Sequence, residues 1–238
     1  AFPHRLETQV KWMESNLQYV GIGSACEIID SLGNKQGLIR RDIPNHHLKV
    51  LLLFSNYFIN SSVLIRAELA KQTKYASDID LSEDYQFFVQ LSKRGKLGNI
   101  NTPLVAYRVH ETNISKEKER ELSAATSVIQ QRQLEALGII PTSEEMKLHS
   151  ALVDGLSTNL GFTLNQVEEW LYKVIETNQT QKLYSDELLK YYAAFFFRRA
   201  CQESGFGLKS VRAFKKSSLS KFMKQDIKGN SIFFVRTI

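Results

Sequence analysis

Ser82-Glu-Asp-Tyr-Gln-Phe-Phe-Val-Gln-Leu-Ser-Lys-Arg-Gly95 runs directly into Lys96-Leu-Gly-Asn-Ile-Asn-Thr-Pro-Leu-Val-Ala-Tyr-Arg-Val-His110. A serine before two acidic residues is a helix-start signal and Gly95 a stop, so the first stretch predicts a helix over 83–94. The second predicts two short strands, 97–100 and 104–109, broken by Pro103. Upstream of this helix and strand, 20–29 reads as an extended segment. Asp30-Ser-Leu-Gly-Asn34 reads as a turn, with a second strand near 38–40 and a third over 61–66 around Val63 and Ile65. Pro3 suits a first helical turn. Leu6, Val10, Met13 and Leu17 follow at helical spacing, which predicts a helix over 3–17 with one apolar stripe. Asn45 reads as the cap of a helix reaching about 54. The part before His110 is therefore α/β.

Beyond His110 the pattern becomes helical. A long charged helix over 115–137 ends at Gly138, and a connector follows over 139–143. Further helices are expected at 143–154, 164–177 and 185–203, with a basic segment from Leu208. Gly155, Gly161, Asn178 and Gly205 punctuate them. The expected division is an α/β part, 1–114, a long helix and connector, 115–142, and an α-helical extension with a basic tail, 143–238.

The 238 residues are 43% apolar and 11% aromatic, which supports a packed core and excludes a disordered composition. No apolar run approaches the ~18 residues a membrane-crossing helix needs. Cys26 and Cys201 have neither metal-ligand spacing nor the look of a disulfide framework, which suits a reducing compartment. The net charge of +6 is unevenly spread. Residues 207–238 hold eight Lys or Arg and one acid, Asp226, a local +7, so the rest sums to −1. The molecule reads as a neutral body with a basic tail.

Several segments together resemble a known family. They are Phe2-Pro-His-Arg-Leu-Glu-Thr-Gln-Val10, Val20-Gly-Ile-Gly-Ser24 with Glu27-Ile-Ile-Asp30, and Phe54-Ser-Asn-Tyr-Phe-Ile-Asn-Ser-Ser-Val63 with Arg66. Glu83-Asp84-Tyr85 and Tyr107-Arg-Val-His110 with Ile114-Ser115 complete the set. In this order and spacing, over about 1–137, they resemble the second half of the catalytic domain of family 2 glycosyltransferases. The resemblance implies a partial GT-A fold, a mixed sheet with flanking helices, followed by the helical region. In that family an Asp-x-Asp motif that holds a divalent metal on the donor diphosphate directly precedes the Pro-x-Arg-Leu helix. The chain begins at Ala1, just after that place, and is expected to be a fragment lacking the nucleotide-binding half. Asp78-Ile-Asp80 has the letters of the motif but lies in the loop before Glu83.

The resemblance makes Asp84 the general base that takes the proton from the acceptor hydroxyl. The bland alternative is that Glu83 and Asp84 only favour the positive end of a helix. Glu83 is implied as an acceptor-hydroxyl contact. His110 matches a metal or diphosphate contact, although a lone loop histidine is more often simply solvated. Arg108 suits either the leaving diphosphate or a surface salt bridge. Asn60 stands where relatives often carry histidine; it can hydrogen-bond an acceptor but cannot act as an acid. Arg5 reads as a residue that only orients the first helix against the missing half. His46-His47 is not a metal pair, since neighbours on a helix point about 100° apart. Gly21-Ile-Gly23 lacks the third glycine of a dinucleotide site and reads as a close strand approach. Gln130-Gln-Arg-Gln133 lacks the tryptophan of the processive-synthase motif.

The implied partners are a nucleotide-diphosphate sugar, Mg²⁺ or Mn²⁺, and a glycan or lipid-linked acceptor, with a role in cell-surface polysaccharide synthesis. In 207–238, Leu208, Val211, Phe214 and Phe222 interleave with basic residues. That pattern fits either docking on an anionic membrane, and so a cytoplasmic enzyme at its inner face, or ordinary packing. No nucleic-acid-binding motif accompanies the charge. A non-catalytic binding or assembly module, or a peripheral membrane-docking protein, is the alternative to the enzyme.

Overall fold

The structure is a computed structural model, and it describes residues 1–40, 43–110, 118–154, 161–203 and 208–223. These form two compact units. The first takes Ala1–Leu52 and Asn56–Ile129, the second Leu53–Ser55 and the described residues from Gln130 to Met223. The architecture is mixed α/β, a mixed sheet flanked by helices, followed by a helical region. The units part inside the long helix, between Ile129 and Gln130.

The first unit is organised by β1 (Tyr19–Ile29). Its residues Val20 to Cys26 are all buried, as a strand covered on both faces requires. β4 (Lys96–Arg108) pairs parallel along the whole of β1. On the other edge β2 (Lys35–Ile39) pairs antiparallel with Cys26 to Ile29, and β3 (Leu64–Ile65) with Gly21 and Ile22. Glycines 21 and 23 permit this closeness. A Cβ on Gly23 would collide with the Asn99 side chain and lie 3.2 Å from the Phe58 ring. β4 is one strand, against the expectation of two. The register passes from Ser24 opposite Ile100 to Ala25 opposite Pro103, so Asn101 and Thr102 are accommodated as a bulge. Proline, which has no N–H to donate, sits where the ladder is already irregular.

The first helix, α1 (Arg5–Ser15), is shorter than expected and turns a different side inward. Met13 and Gln9 are buried, whereas Leu6, Val10 and Leu17 are exposed. The inward side is chosen by hydrogen bonds. Gln9 Nε2 donates to the carbonyls of Ile22, at 3.0 Å, and Ser62, at 2.8 Å. Buried polar groups must be paired, and these pairs override the apolar stripe. Asn45 does not cap a helix. It begins a short 3-10 turn, Asn45–His47, ahead of α2 (Leu48–Leu51), and its side chain accepts the Asn99 N–H at 2.8 Å. The expected strand over 61–66 is mostly a second 3-10 turn, Asn60–Ser62, with only Leu64–Ile65 extended. α3 (Ala67–Thr73) and α4 (Glu83–Ser92) complete the flanking helices.

The second unit continues from α5 (Glu119–Leu137), which Gly138 closes at φ +96°. It adds α6 (Ser143–Asp154), α7 (Leu164–Gln181), α8 (Asp186–Glu203), α9 (Leu208–Lys216) and α10 (Ser220–Met223). Trp170, Leu171, Tyr192, Phe196 and Phe197 are buried in its core. α7 runs past Asn178, expected to be a stop, because that side chain organises the reversal after it. Asn178 donates to the Tyr184 carbonyl and to Asp186 Oδ1, and accepts the Tyr184 N–H. The segment Leu53–Ser55 is clasped within this unit. Gln130 Nε2 donates to the Phe54 carbonyl, and Ser150 Oγ donates to Gln130 Oε1. His149 is 0% exposed and meets the Leu53 carbonyl at 3.0 Å. Its Nδ1 accepts the Trp170 indole N–H at 3.3 Å, so the proton is on Nε2 and donates to Leu53. Cys26 and Cys201 are both buried.

Candidate active site

α4 carries the acidic pair on its first turn, Glu83 exposed and Asp84 half-buried. Tyr85, Phe88, Val89 and Leu91 bury its apolar side, and the Tyr85 hydroxyl donates to the Leu52 carbonyl at 2.6 Å. These contacts orient the helix start. Ser82 does not cap the helix with its side chain; its hydroxyl lies 3.2 Å from that of Thr126. The first-turn N–H groups have no helical partners, and Asp84 takes that role, its Oδ1 accepting the Tyr85 N–H at 2.7 Å.

The other carboxylate oxygen is held from a loop. Asn56 Nδ2 donates to Asp84 Oδ2 at 3.3 Å, while Asn56 Oδ1 accepts the Phe58 N–H at 2.9 Å. Phe58 packs on Phe88 of α4 with ring centroids 4.8 Å apart. The loop is pinned by further polar ties. Ser62 Oγ accepts the Ser24 N–H at 3.0 Å, Asn99 Nδ2 donates to the Tyr57 carbonyl at 3.1 Å, and Arg5 donates to Gln9 Oε1 and the Val63 carbonyl. Arg5, expected to orient its helix against a missing half, is tied here to its own helix and to this loop. Arg66 donates to the carbonyls of Tyr19 and Met13, tying β1 to α1.

Partial burial pushes the Asp84 carboxyl above its ordinary value, and the neighbouring Glu83 charge adds to this. The bonds from the Tyr85 N–H and Asn56 pull the other way without winning. The result is an oriented carboxylate that binds a proton more readily than a free one. That is what a general base requires.

Glu83, Asp84 and the loop carrying Asn56 therefore meet. Asn60 is exposed at the start of the 3-10 turn on that same loop. Arg108 and His110 lie at the exposed end of β4. Arg108 Nη1 donates to the carbonyls of Asp30 and Ser31, both at 2.8 Å. Asp30 itself is a turn residue, its carboxyl held low chiefly by the Asn34 N–H. Ile114 and Ser115 of the resemblance fall outside the described residues. Sequence reasoning missed Asn56 as a site residue. Its signal was present, an Asn heading the quoted loop, but spacing does not show which of Asn56 and Asn60 reaches the acid. Among the described residues no three His, Cys, Asp or Glu side chains gather closely enough to grip a cation.

The chain is similar to an uncharacterized glycosyltransferase of Haemophilus influenzae, 25% identical over 144 residues, covering 56% of this chain and 45% of that protein. It is also similar to an uncharacterized glycosyltransferase of Methanocaldococcus jannaschii, 26% identical over 129 residues, covering 51% of this chain and 43% of that protein. The chain thus spans less than half the length of the relatives it matches. No family model matches it.

Proposed function

We propose that these residues are the acceptor-side half of an inverting glycosyltransferase of the family 2, GT-A kind. It moves a hexosyl group from a nucleotide-diphosphate sugar to a glycan or lipid-linked acceptor in cell-surface polysaccharide synthesis. The observation that carries the reading is the setting of Asp84, half-buried, raised in pKa, and aimed by Asn56 and the Tyr85 N–H. The similarity to two proteins named as glycosyltransferases supports it.

In the proposed step an acceptor hydroxyl oxygen attacks the anomeric carbon from the face opposite the leaving group. Its proton passes to Asp84. The bond to the nucleoside diphosphate breaks with its electron pair going to the diphosphate oxygen, and the configuration inverts. Glu83, exposed beside Asp84, accepts a hydrogen bond from a second acceptor hydroxyl, and Asn60 contacts the acceptor from the loop. Arg108 and His110 are assigned to the donor diphosphate. The Mg²⁺ or Mn²⁺ that the resemblance implies finds no ligand set among the described residues.

The test is Asp84→Asn in the full-length protein, assayed with a panel of UDP- and GDP-linked sugars. Transfer should fall by about 10²–10⁴-fold, the usual worth of a general base, with donor affinity unchanged. Undiminished transfer, or loss of donor affinity instead, overturns the assignment.

A further inference from the structure

We propose that Tyr75 is the platform on which the acceptor sugar lies, and that the sugar ring seated there is an uncharged pyranose. The proposal rests on the glycosyl-transfer reading and adds to it the chemistry of the acceptor ring. Tyr75 stands in the loop between α3 and α4 and is 52% exposed. A single exposed aromatic residue is ordinary. The way this one is bedded is not. Its ring stacks on Phe87 with centroids 4.5 Å apart and planes 9° from parallel, and Phe87 is buried. One face of the tyrosine is thereby fixed against the protein, while half of the residue stays open to solvent.

Phe87 also says where that face lies. It follows Asp84 by three residues and Glu83 by four on α4, and residues at those spacings share one side of a helix. The Tyr75 ring therefore covers the side of the helix that carries both carboxylates. Their effect on Tyr75 agrees. After burial, the Asp84 and Glu83 charges are the causes that push its hydroxyl above its ordinary pKa. The loop is shaped to hold this position. Lys74 and Leu81 bracket it with φ of +49° and +70°, in a region that residues with a Cβ enter at a cost, and Ile79 anchors it by burial.

An aromatic face is electron-rich, and the apolar face of a pyranose offers C–H groups that are slightly positive. Ionised carboxylates only accept hydrogen bonds, and sugar hydroxyls at the ring edge donate them. A flat ring beside two carboxylates thus matches a pyranose lying on Tyr75 with its hydroxyls toward Glu83 and Asp84. The same charges repel a phosphate or a uronic acid carboxylate. This separates the acceptor position from that of the anionic donor.

The experiment is saturation-transfer NMR on the full-length protein with methyl glucopyranoside, methyl galactopyranoside, methyl N-acetylglucosaminide and methyl glucuronide. The ring C–H protons of at least one neutral pyranoside should receive saturation and those of the glucuronide should not. Tyr75→Phe should keep the effect. Tyr75→Ala and Tyr75→Leu should weaken binding by roughly three- to tenfold, as loss of a stacked aromatic contact does. Absence of saturation from every neutral pyranoside, equal saturation of the glucuronide, or binding unaltered in Tyr75→Ala overturns the platform. The Asp84→Asn transfer assay separates the two readings. If Asp84→Asn is inactive and Tyr75→Ala binds normally, only the platform falls. If Asp84→Asn transfers normally while saturation depends on Tyr75, the sugar site stands and the chemistry assigned to Asp84 falls.

Discussion

Asp84 and Asn56 form a pair in which each side chain has a separate task. The acid is raised by burial and by Glu83, and the amide opposes that rise by bonding to the charged form. Asn56→Ala removes the opposing bond, so the Asp84 carboxyl should titrate at higher pH. A general base works deprotonated. The acid limb of the pH–rate profile should therefore move to higher pH in Asn56→Ala, with less activity below the new midpoint and a smaller deficit above it. An unshifted limb would show that the amide does not set the base. Asp84 was singled out by the family resemblance, since its place after Ser82 and Glu83 predicts only a helix start. Asn56 was not, because twenty-eight residues part it from the acid and only the folded loop brings the amide to the carboxylate.

Among the secondary-structure elements, the helical ones follow their sequence signals closely where local signals are strong. α4 starts at Glu83, α5 ends at Leu137 before Gly138, and α7 opens on a Thr163–Gln166 capping box. The elements that depart from expectation are those whose faces were decided by partners far along the chain. α1 turns Gln9 inward because Ile22 and Ser62 offer carbonyls. β4 continues past Pro103 because β1 lies beside it. α6 carries the clearest pH signature. Burial lowers the His149 pKa to about 4 from 6.5, while the unfolded chain keeps the ordinary value. The unfolded state then binds the extra proton between those values, so stability is complete above pH 6.5 and declines as the pH falls toward 4. Urea unfolding followed by tryptophan fluorescence should show this histidine costing about 2 kcal/mol between pH 7 and pH 5. His149→Gln should remove that part of the pH slope, and an equal slope in the variant would contradict a neutral buried ring.

For the molecule as a whole, charge and packing are divided along the tail. Arg212, Lys215, Lys216 and Lys221 are exposed, while Leu219 is buried and Phe214 meets Phe197 at 6.3 Å between ring centroids. Lys190 lies over the Phe222 ring at 5.8 Å. Among the described residues no helix is long and apolar enough to cross a membrane. Leu219 and part of Phe214 are thus spent on packing, while Val211 stays exposed. We propose that any docking on an anionic membrane is electrostatic adsorption, at about 1 kcal/mol per basic residue near the surface. The protein should float with phosphatidylserine vesicles at low salt and be released at about 0.5 M, where charges are screened within a few ångströms. Changing Lys215, Lys216 and Lys221 to Glu should abolish flotation; salt-resistant flotation would mean insertion instead. The α/β to helical succession, the acidic pair at a helix start and the basic tail were written in local composition and spacing, because capping, periodicity and charge act over a few residues. Which face of α1 is buried, that β4 is a single strand, that Asn56 reaches Asp84, and that Tyr75 stacks on Phe87 were decided only by the tertiary structure. Each depends on pairing polar groups or aromatic rings that the chain carries far apart, and only folding brings them within a hydrogen bond or a ring contact.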